Sequence, residues 1–155
     1  MSKILIIDDD RSVIFFAGYE PFFKEGDVYH ALYADTVKEE YREKLLLEKE
    51  KVEAEFVRCT HLKSSKIYTH DELISYLMNE ADNFDTIVLD GLESKCFTII
   101  EEVPLDLTKT IICSGSNHIN KLCNESKIPY IKKISPFLYC SKLICIEILN
   151  KKINF

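Results

Sequence analysis

The chain has 155 residues, 46% of them hydrophobic and 30% charged, which is typical of an ordinary globular domain. Its formal net charge of −6 argues against a general nucleic-acid binder, because contacts to a phosphate backbone need clustered Lys and Arg. No apolar stretch reaches the roughly 18 residues of a membrane span. Met1 to Lys3 lead directly into an apolar run, which leaves no room for a signal peptide. We therefore expect one cytoplasmic domain over residues 1–155, with no nucleic-acid or membrane partner.

The six cysteines carry no signal for metal or redox chemistry. No CxxC pair is present, and the pair formed by Cys59 and His61 lacks completing ligands at the usual spacing. Reduced cysteines behave as small apolar residues and fit a cytosolic protein. We expect all six to be structural.

In the first half of the chain, the pattern predicts a strand at Ile4–Ile7, a helix over 12–24 and a helix over about 35–51. Val52–Val57 alternates between polar and apolar residues and is the candidate for the second strand, with Val28–Tyr33 as a rival. Further along the chain, Thr69 and Glu72 predict a capping box at the start of a helix. That helix is expected to direct Leu73, Ile74, Leu77 and Met78 inward.

The remaining predicted elements continue to alternate between strands and helices. They are a strand ending at Asp90, a helix near 96–103, a strand ending at Ser114, a helix over 119–126, a strand over 129–133 and a helix over about 137–150. This order predicts the α/β class, with a doubly wound, five-stranded parallel sheet of flavodoxin-like architecture.

Polar side chains follow the predicted strands at the points where they end. Asp8, Asp9 and Asp10 follow the first, and Asp90, Ser114 and the pair Lys132 and Lys133 follow later ones. Because parallel strands end at the same edge of a sheet, these groups are expected to converge there. Carboxylates are the oxygen ligands that Mg²⁺ prefers, and Lys and Ser suit phosphoryl oxygens. The pattern therefore indicates a magnesium-dependent phosphoryl site.

The sequence resembles the receiver domain of bacterial two-component response regulators. The similar stretches are Lys3–Asp10, Phe84–Asp90, Ser114 with Gly115, and Tyr130–Lys133. The resemblance covers residues 1–27 and about 67–150. It implies that about 28–66 is an insertion, which we expect to pack at the sheet edge as an added helical element. It implies a stand-alone signalling receiver that is a phosphoprotein rather than an enzyme with turnover, whose partners are a sensor histidine kinase or phosphotransfer protein and an unknown protein target. The resemblance does not decide whether the chain forms a homodimer.

The resemblance also assigns roles to residues. Asp8, Asp9 and Asp90 would hold Mg²⁺, and Asp90 would accept the phosphoryl group. Ser114 would contact that group, Lys133 would pair with it, and Tyr130 would be the switch aromatic. Lys132 competes with Lys133, but the spacing from Tyr130 favours Lys133.

Several departures from the family keep alternatives open. Ile134 follows Lys133 where the family usually has proline, and Ser94 stands where a proline usually follows the aspartate. These departures favour a phosphorylation-independent pseudo-receiver that acts as a binding module. A phosphatase similar to the haloacid dehalogenase superfamily is a weaker alternative, since Asp8 and Asp10 match its first motif but only Glu147 follows the lysine.

Overall fold

The computed structural model describes residues 2–10, 20–132 and 146–150. Its six strands are β1 (Ser2–Asp8), β2 (Gly26–Tyr33), β3 (Ser64–Tyr68), β4 (Thr86–Asp90), β5 (Thr110–Ser114) and β6 (Tyr130–Lys132). They form one sheet in the order β3-β2-β1-β4-β5-β6, and every neighbouring pair is parallel. The α/β class and the parallel sheet are therefore confirmed, and the arrangement is compatible with a flavodoxin-like fold.

Helices connect these strands. They are α1 (Glu20–Glu25), α2 (Glu39–Leu47), α3 (Lys49–Cys59), α4 (His70–Glu80), α5 (Lys95–Glu102) and α6 (Asn117–Ser126). Residues 146–150 are also helical. Within the described part of the chain, no helix has the length and apolarity needed to cross a membrane.

The helices cover both faces of the sheet, which explains why the central strands are apolar without interruption. Leu5 and Ile7 of β1 face a core formed with α4, α5 and α6. Ile4 and Ile6 point to the opposite face, where α1, α3 and residues 146–150 contribute a second core. Successive side chains of a strand point to opposite faces, so alternate residues of β1 fill the two cores.

The capping box at the start of α4 is confirmed. The Thr69 side chain accepts a hydrogen bond from the Glu72 amide, and the Glu72 carboxylate accepts one from the Thr69 amide. Leu73 and Leu77 are buried as expected. The prediction for Met78 is wrong, because its side chain is 60% exposed.

The prediction that Val52–Val57 forms the second strand is wrong. This segment lies within α3, and the rival Val28–Tyr33 lies within β2. The alternation was misleading because Val52 and Phe56 are also spaced by four residues, so they share one helix face. The Glu, Ala and Lys residues around them favour helix.

The predicted strand count of five is also wrong, because β3 adds a sixth strand at the edge next to β2. Its sequence, Ser-Ser-Lys-Ile-Tyr, is short and polar, which is common for edge strands and gives little signal. The 28–66 region is consequently not only helical: it holds most of β2, the helices α2 and α3, and the start of β3. The predicted residues 12–19, Lys133 and 137–145 lie outside the described ranges.

Candidate functional site at the carboxyl edge of the sheet

The sheet has a topological switch point between β1 and β4. The chain proceeds from β1 through β2 to β3 on one side, and then from β4 through β5 to β6 on the other. Ile7 pairs with Leu89, so Asp8 and Asp90 lie side by side one residue further along. Crevices at such a point are where open α/β sheets bind ligands, because the crossovers on either side separate to opposite faces.

Asp8, Asp9 and Asp90 converge at this point, and we refer to them as the acidic trio. Each offers one carboxylate oxygen, and these oxygens all lie within 4.8 Å of one another. Asp8 is only 3% exposed, whereas Asp9 and Asp90 are half-buried. A divalent cation is a chemically suitable occupant, since hard oxygen donors at this spacing match what Mg²⁺ or Ca²⁺ binds.

The surroundings of Asp9 disfavour its ionised form. Burial raises the pKa of Asp9 above its ordinary value of 3.8, and the nearby charge of Asp90 raises the pKa further. Hydrogen bonds with the Thr36 hydroxyl and with Asp8 act in the opposite direction. The trio is thus a place where a bound cation would relieve a local electrostatic cost.

Backbone amides also contact the trio. The Asp10 amide donates to Asp8 Oδ1 at 3.0 Å, and the Leu92 amide donates to Asp90 Oδ2 at 2.9 Å. The second contact depends on an unusual loop, in which Leu92, Glu93 and Ser94 have φ values of 50°, 53° and 77°. Left-handed backbone costs non-glycine residues about 1–2 kcal/mol each. The loop therefore holds an amide at Asp90 at a local conformational cost.

Ser114 lies at the end of β5, beside this loop. It is 5% exposed, and its Oγ accepts a hydrogen bond from the Ser116 amide at 3.1 Å. Gly91 approaches it so closely that a Cβ there would lie 2.8 Å from Ser114 Oγ and 2.6 Å from Ile119 Cδ1. Glycine at position 91 therefore lets the backbone after Asp90 pass directly against Ser114.

The structure describes Tyr130 and Lys132 of β6. Tyr130 is half-buried and packs against the core on the α4–α6 face. Lys132 pairs with Ser114 in the β5–β6 register, and its side chain is exposed. Lys133, the residue expected to pair with a phosphoryl group, lies just beyond the described range.

The sequence analysis missed Thr36, whose Oγ1 donates to Asp9 Oδ2 at 2.8 Å. Thr36 ends the 3₁₀ turn Ala34–Thr36, which directly follows β2. A signal existed, because Thr36 is a polar residue just after a strand. It was overlooked because the second strand was placed at Val52–Val57.

A cleft of about 630 Å³ lies beside Asp9 of the acidic trio. The cleft is lined by apolar and charged side chains, which are Asp9, Asp10, Leu32, Val37, Tyr41, Lys44, Leu45, Glu48, Val52 and Glu55. The helices α2 and α3 therefore form one wall of the candidate site.

Comparison with protein-family models, curated proteins and solved structures finds no match to this chain.

Proposed function

We propose that this protein is a phosphorylation-dependent signalling receiver, similar to those of two-component systems, which accepts a phosphoryl group on Asp90 with Mg²⁺ bound. The donor would be the phosphohistidine of a sensor kinase or phosphotransfer protein. Output would then be a contact with another protein, and the chain would have no turnover beyond its own phosphotransfer.

The observation that carries this proposal is the acidic trio at the switch point of a parallel sheet. Two carboxylates come from the end of β1 and one from the end of the adjacent β4, with their oxygens within 4.8 Å of one another. Ser114 supports the proposal from the next strand, where Gly91 lies against its hydroxyl. A carboxylate, a hydroxyl and a cation-binding set are the groups that phosphoryl transfer to an aspartate requires.

The proposed reaction exchanges one phosphorus bond for another. An Asp90 carboxylate oxygen attacks phosphorus as the P–N bond to histidine breaks, and the imidazole nitrogen leaves with the electron pair and takes up a proton. Bound Mg²⁺ would offset the negative charge of the trio and of the transferring oxygens. The Leu92 amide, 2.9 Å from Asp90 Oδ2, and the Ser114 hydroxyl are available as hydrogen-bond donors near the new group.

The six-strand order is also that of dinucleotide-binding sheets, but the residues after β1 do not suit a dinucleotide. A dinucleotide site needs glycines after the first strand, so that the pyrophosphate can approach a helix N-terminus. Here Asp8, Asp9 and Asp10 occupy that place, and no glycine occurs before Gly18. Three carboxylates would repel a pyrophosphate, which favours a cation at this edge instead.

A second candidate function is a binding module that keeps this fold without phosphorylation. The loop at Leu92–Ser94 favours it, because three successive left-handed residues replace the proline-containing turn expected after the acceptor aspartate. Such a module would use the same edge of the sheet as a contact surface. Its acidic trio would not need to bind a cation.

The test is phosphorylation by acetyl phosphate in the presence of Mg²⁺, followed by intact mass measurement. We expect an acid-stable, alkali-labile gain of one phosphoryl group in the wild type. We expect none in D90N, while D82N, which changes an exposed aspartate elsewhere, should behave as the wild type. Labelling of D90N to the wild-type level would contradict the assignment of Asp90.

Mg²⁺ titration separates the two candidate functions. Cation binding that is lost in D9A supports the receiver, whereas absence of binding in the wild type supports the binding module. Hydrolysis of a generic phosphate ester that disappears in D8N would instead support the phosphatase alternative.

A further inference from the structure

We infer that Thr36 is a positioning residue for the acidic trio, and that α2 acts on the cation site through it. This inference rests on the proposed cation site and adds a regulatory route to it. The route runs from Arg42 on α2, through the 3₁₀ turn Ala34–Thr36, to the carboxylate of Asp9.

The first contact fixes the Asp9 carboxylate. Thr36 Oγ1 donates to Asp9 Oδ2 at 2.8 Å, so one oxygen of Asp9 is held on the side of β2. Asp9 also offers an oxygen to the trio, within 4.8 Å of those from Asp8 and Asp90. A carboxylate ligand oriented in this way loses less rotamer freedom when a cation binds.

The second contact fixes the turn that carries Thr36. Arg42 Nη1 donates to the carbonyl oxygen of Asp35 at 3.0 Å, and the Val37 amide donates to the carbonyl oxygen of Ala34 at 3.1 Å. A guanidinium on α2 is therefore bound to the residue directly before Thr36. Moving α2 would move the turn.

Apolar packing also holds this turn, through its first residue, Ala34. Leu32 and Ala34 are buried in a small cluster with Ile67, and Leu45 of α2 and Val52 of α3 pack against it. Two independent kinds of contact thus join the helices to the turn. Coupling between sites needs such a continuous series of packed and hydrogen-bonded groups.

An occupant of the cleft beside Asp9 would act on this route. Val37 and Leu45 line the cleft together with Asp9, so an occupant would touch α2, the residue after the turn, and Asp9 itself. Any displacement of α2 would change how firmly Asp9 is oriented. Loss of a residue that orients a metal ligand typically weakens metal binding by about 10–100-fold.

The first experiment compares T36V with T36S by calorimetric titration of Mg²⁺. Valine keeps the shape of threonine but removes the hydroxyl, so we expect Mg²⁺ binding about tenfold weaker than in the wild type. Serine keeps the hydroxyl, and T36S should restore most of the affinity. Thermal melting of the metal-free proteins shows whether each variant is folded at the titration temperature.

The second experiment tests whether Arg42 acts through Thr36. Removal of a positive charge near carboxylates would by Coulomb's law strengthen cation binding. We instead expect R42A to weaken it several-fold, because the turn is released. R58A is the matched control, since Arg58 is an exposed arginine on α3, and it should not weaken binding. In the double variant T36V/R42A, the loss caused by R42A should largely disappear.

The outcomes distinguish this inference from the proposed function. Unchanged Mg²⁺ affinity in T36V, or an R42A effect of equal size with and without the Thr36 hydroxyl, overturns the inference while leaving the cation site intact. If the wild type binds no Mg²⁺, the proposed function fails, and the positioning role fails with it. Lower metal-free melting of T36V with normal Mg²⁺ affinity would show a purely structural role.

Discussion

At the scale of single residues, the acidic trio brings three carboxylates close together, and burial and the charge of Asp90 make Asp9 more costly to ionise. Asp8 is almost fully buried, and Asp9 is half-buried. Burial and the neighbouring charge of Asp90 both raise the pKa of Asp9. Hydrogen bonds with Thr36 and Asp8 offset this rise in the pKa of Asp9 only in part. The metal-free site is therefore expected to cost stability at neutral pH, as is common where function requires clustered charge.

We predict that D90N stabilises the metal-free protein, because the substitution removes one of three close negative charges. In the wild type, Mg²⁺ at a hundredfold excess over its dissociation constant should add about 2.7 kcal/mol, or roughly 5–10 °C in Tm. If D90N binds Mg²⁺ tenfold more weakly, that gain falls to about 1.4 kcal/mol. Thermal melting of both proteins with and without Mg²⁺ measures the difference, and equal Mg²⁺ shifts would remove Asp90 from the cation site.

At the scale of secondary-structure elements, a buried carboxylate joins α3 to the edge strand β3. Glu53 is 8% exposed, and its Oε2 accepts a hydrogen bond from the Ile67 amide at 2.6 Å. An edge strand otherwise presents unpaired amides that can recruit another chain. Glu53 therefore both fastens the helix and protects this edge.

We predict that E53A destabilises the protein by about 1–3 kcal/mol, because it leaves the Ile67 amide without its partner in a buried position. E55A is the control: Glu55 lies on the same helix but is exposed, and its loss should change stability by no more than about 0.5 kcal/mol. Urea unfolding of the two variants gives the comparison. Similar midpoints for E53A and E55A would show that the bond contributes nothing to stability.

The capping box of α4 leads to a pH-dependent prediction. The Thr69 amide, which donates to Glu72 Oε1 at 3.0 Å, lowers the pKa of Glu72 below its ordinary value of 4.5, with smaller contributions from the Thr69 side chain and Lys49. A lowered pKa in the folded state means that the stabilisation is present above pH 4.5 and is lost as the pH falls through the folded value.

We therefore expect wild type to be more stable than E72Q at neutral pH, and the difference to shrink as the pH falls below about 4.5. Urea midpoints measured across pH 3–7 test this expectation. E101Q is the control, because Glu101 is exposed on α5, and its difference from wild type should vary much less over the same range. A wild-type advantage over E72Q that grows on acidification would contradict the expected sign.

At the scale of the whole molecule, stability is distributed unevenly around the two cores. The central strands β1 and β4 are buried on both sides, whereas α2 has no buried residue and exposes Tyr41 and Leu47 by 60% and 79%. Regions with few buried contacts open at low free energy. Among the described helices, the one that carries Arg42 is thus best able to move without unfolding the sheet.

We predict that hydrogen exchange is fastest in α2 among the helices α2 to α6, and slowest in β1 and β4. Mass-resolved exchange of peptic fragments measures both. Occupation of the cation site by Mg²⁺ should slow exchange in the segment around Thr36 more than in α6, which lies away from that turn. Exchange in α2 as slow as in β1 would show that the helix is fixed by contacts other than those described.

Some features of this protein follow from the sequence alone. The strands ending at Asp8, Asp90 and Ser114 were predictable, because short runs rich in β-branched residues and bounded by polar residues favour strands buried on both faces. The capping box at Thr69 was predictable because both of its hydrogen bonds are local. Convergence of Asp8, Asp9 and Asp90 also followed, since parallel strands end at one edge of the sheet.

Only the tertiary structure decided the identity of the second strand, the sixth strand and the role of Thr36. Val52–Val57 fits a strand or a helix by pattern, and its contacts with the sheet select the helix. The polar β3 is a strand because it pairs with β2, and Glu53 satisfies its Ile67 amide. Thr36 reaches Asp9 across 27 positions of sequence, a separation that no local pattern encodes.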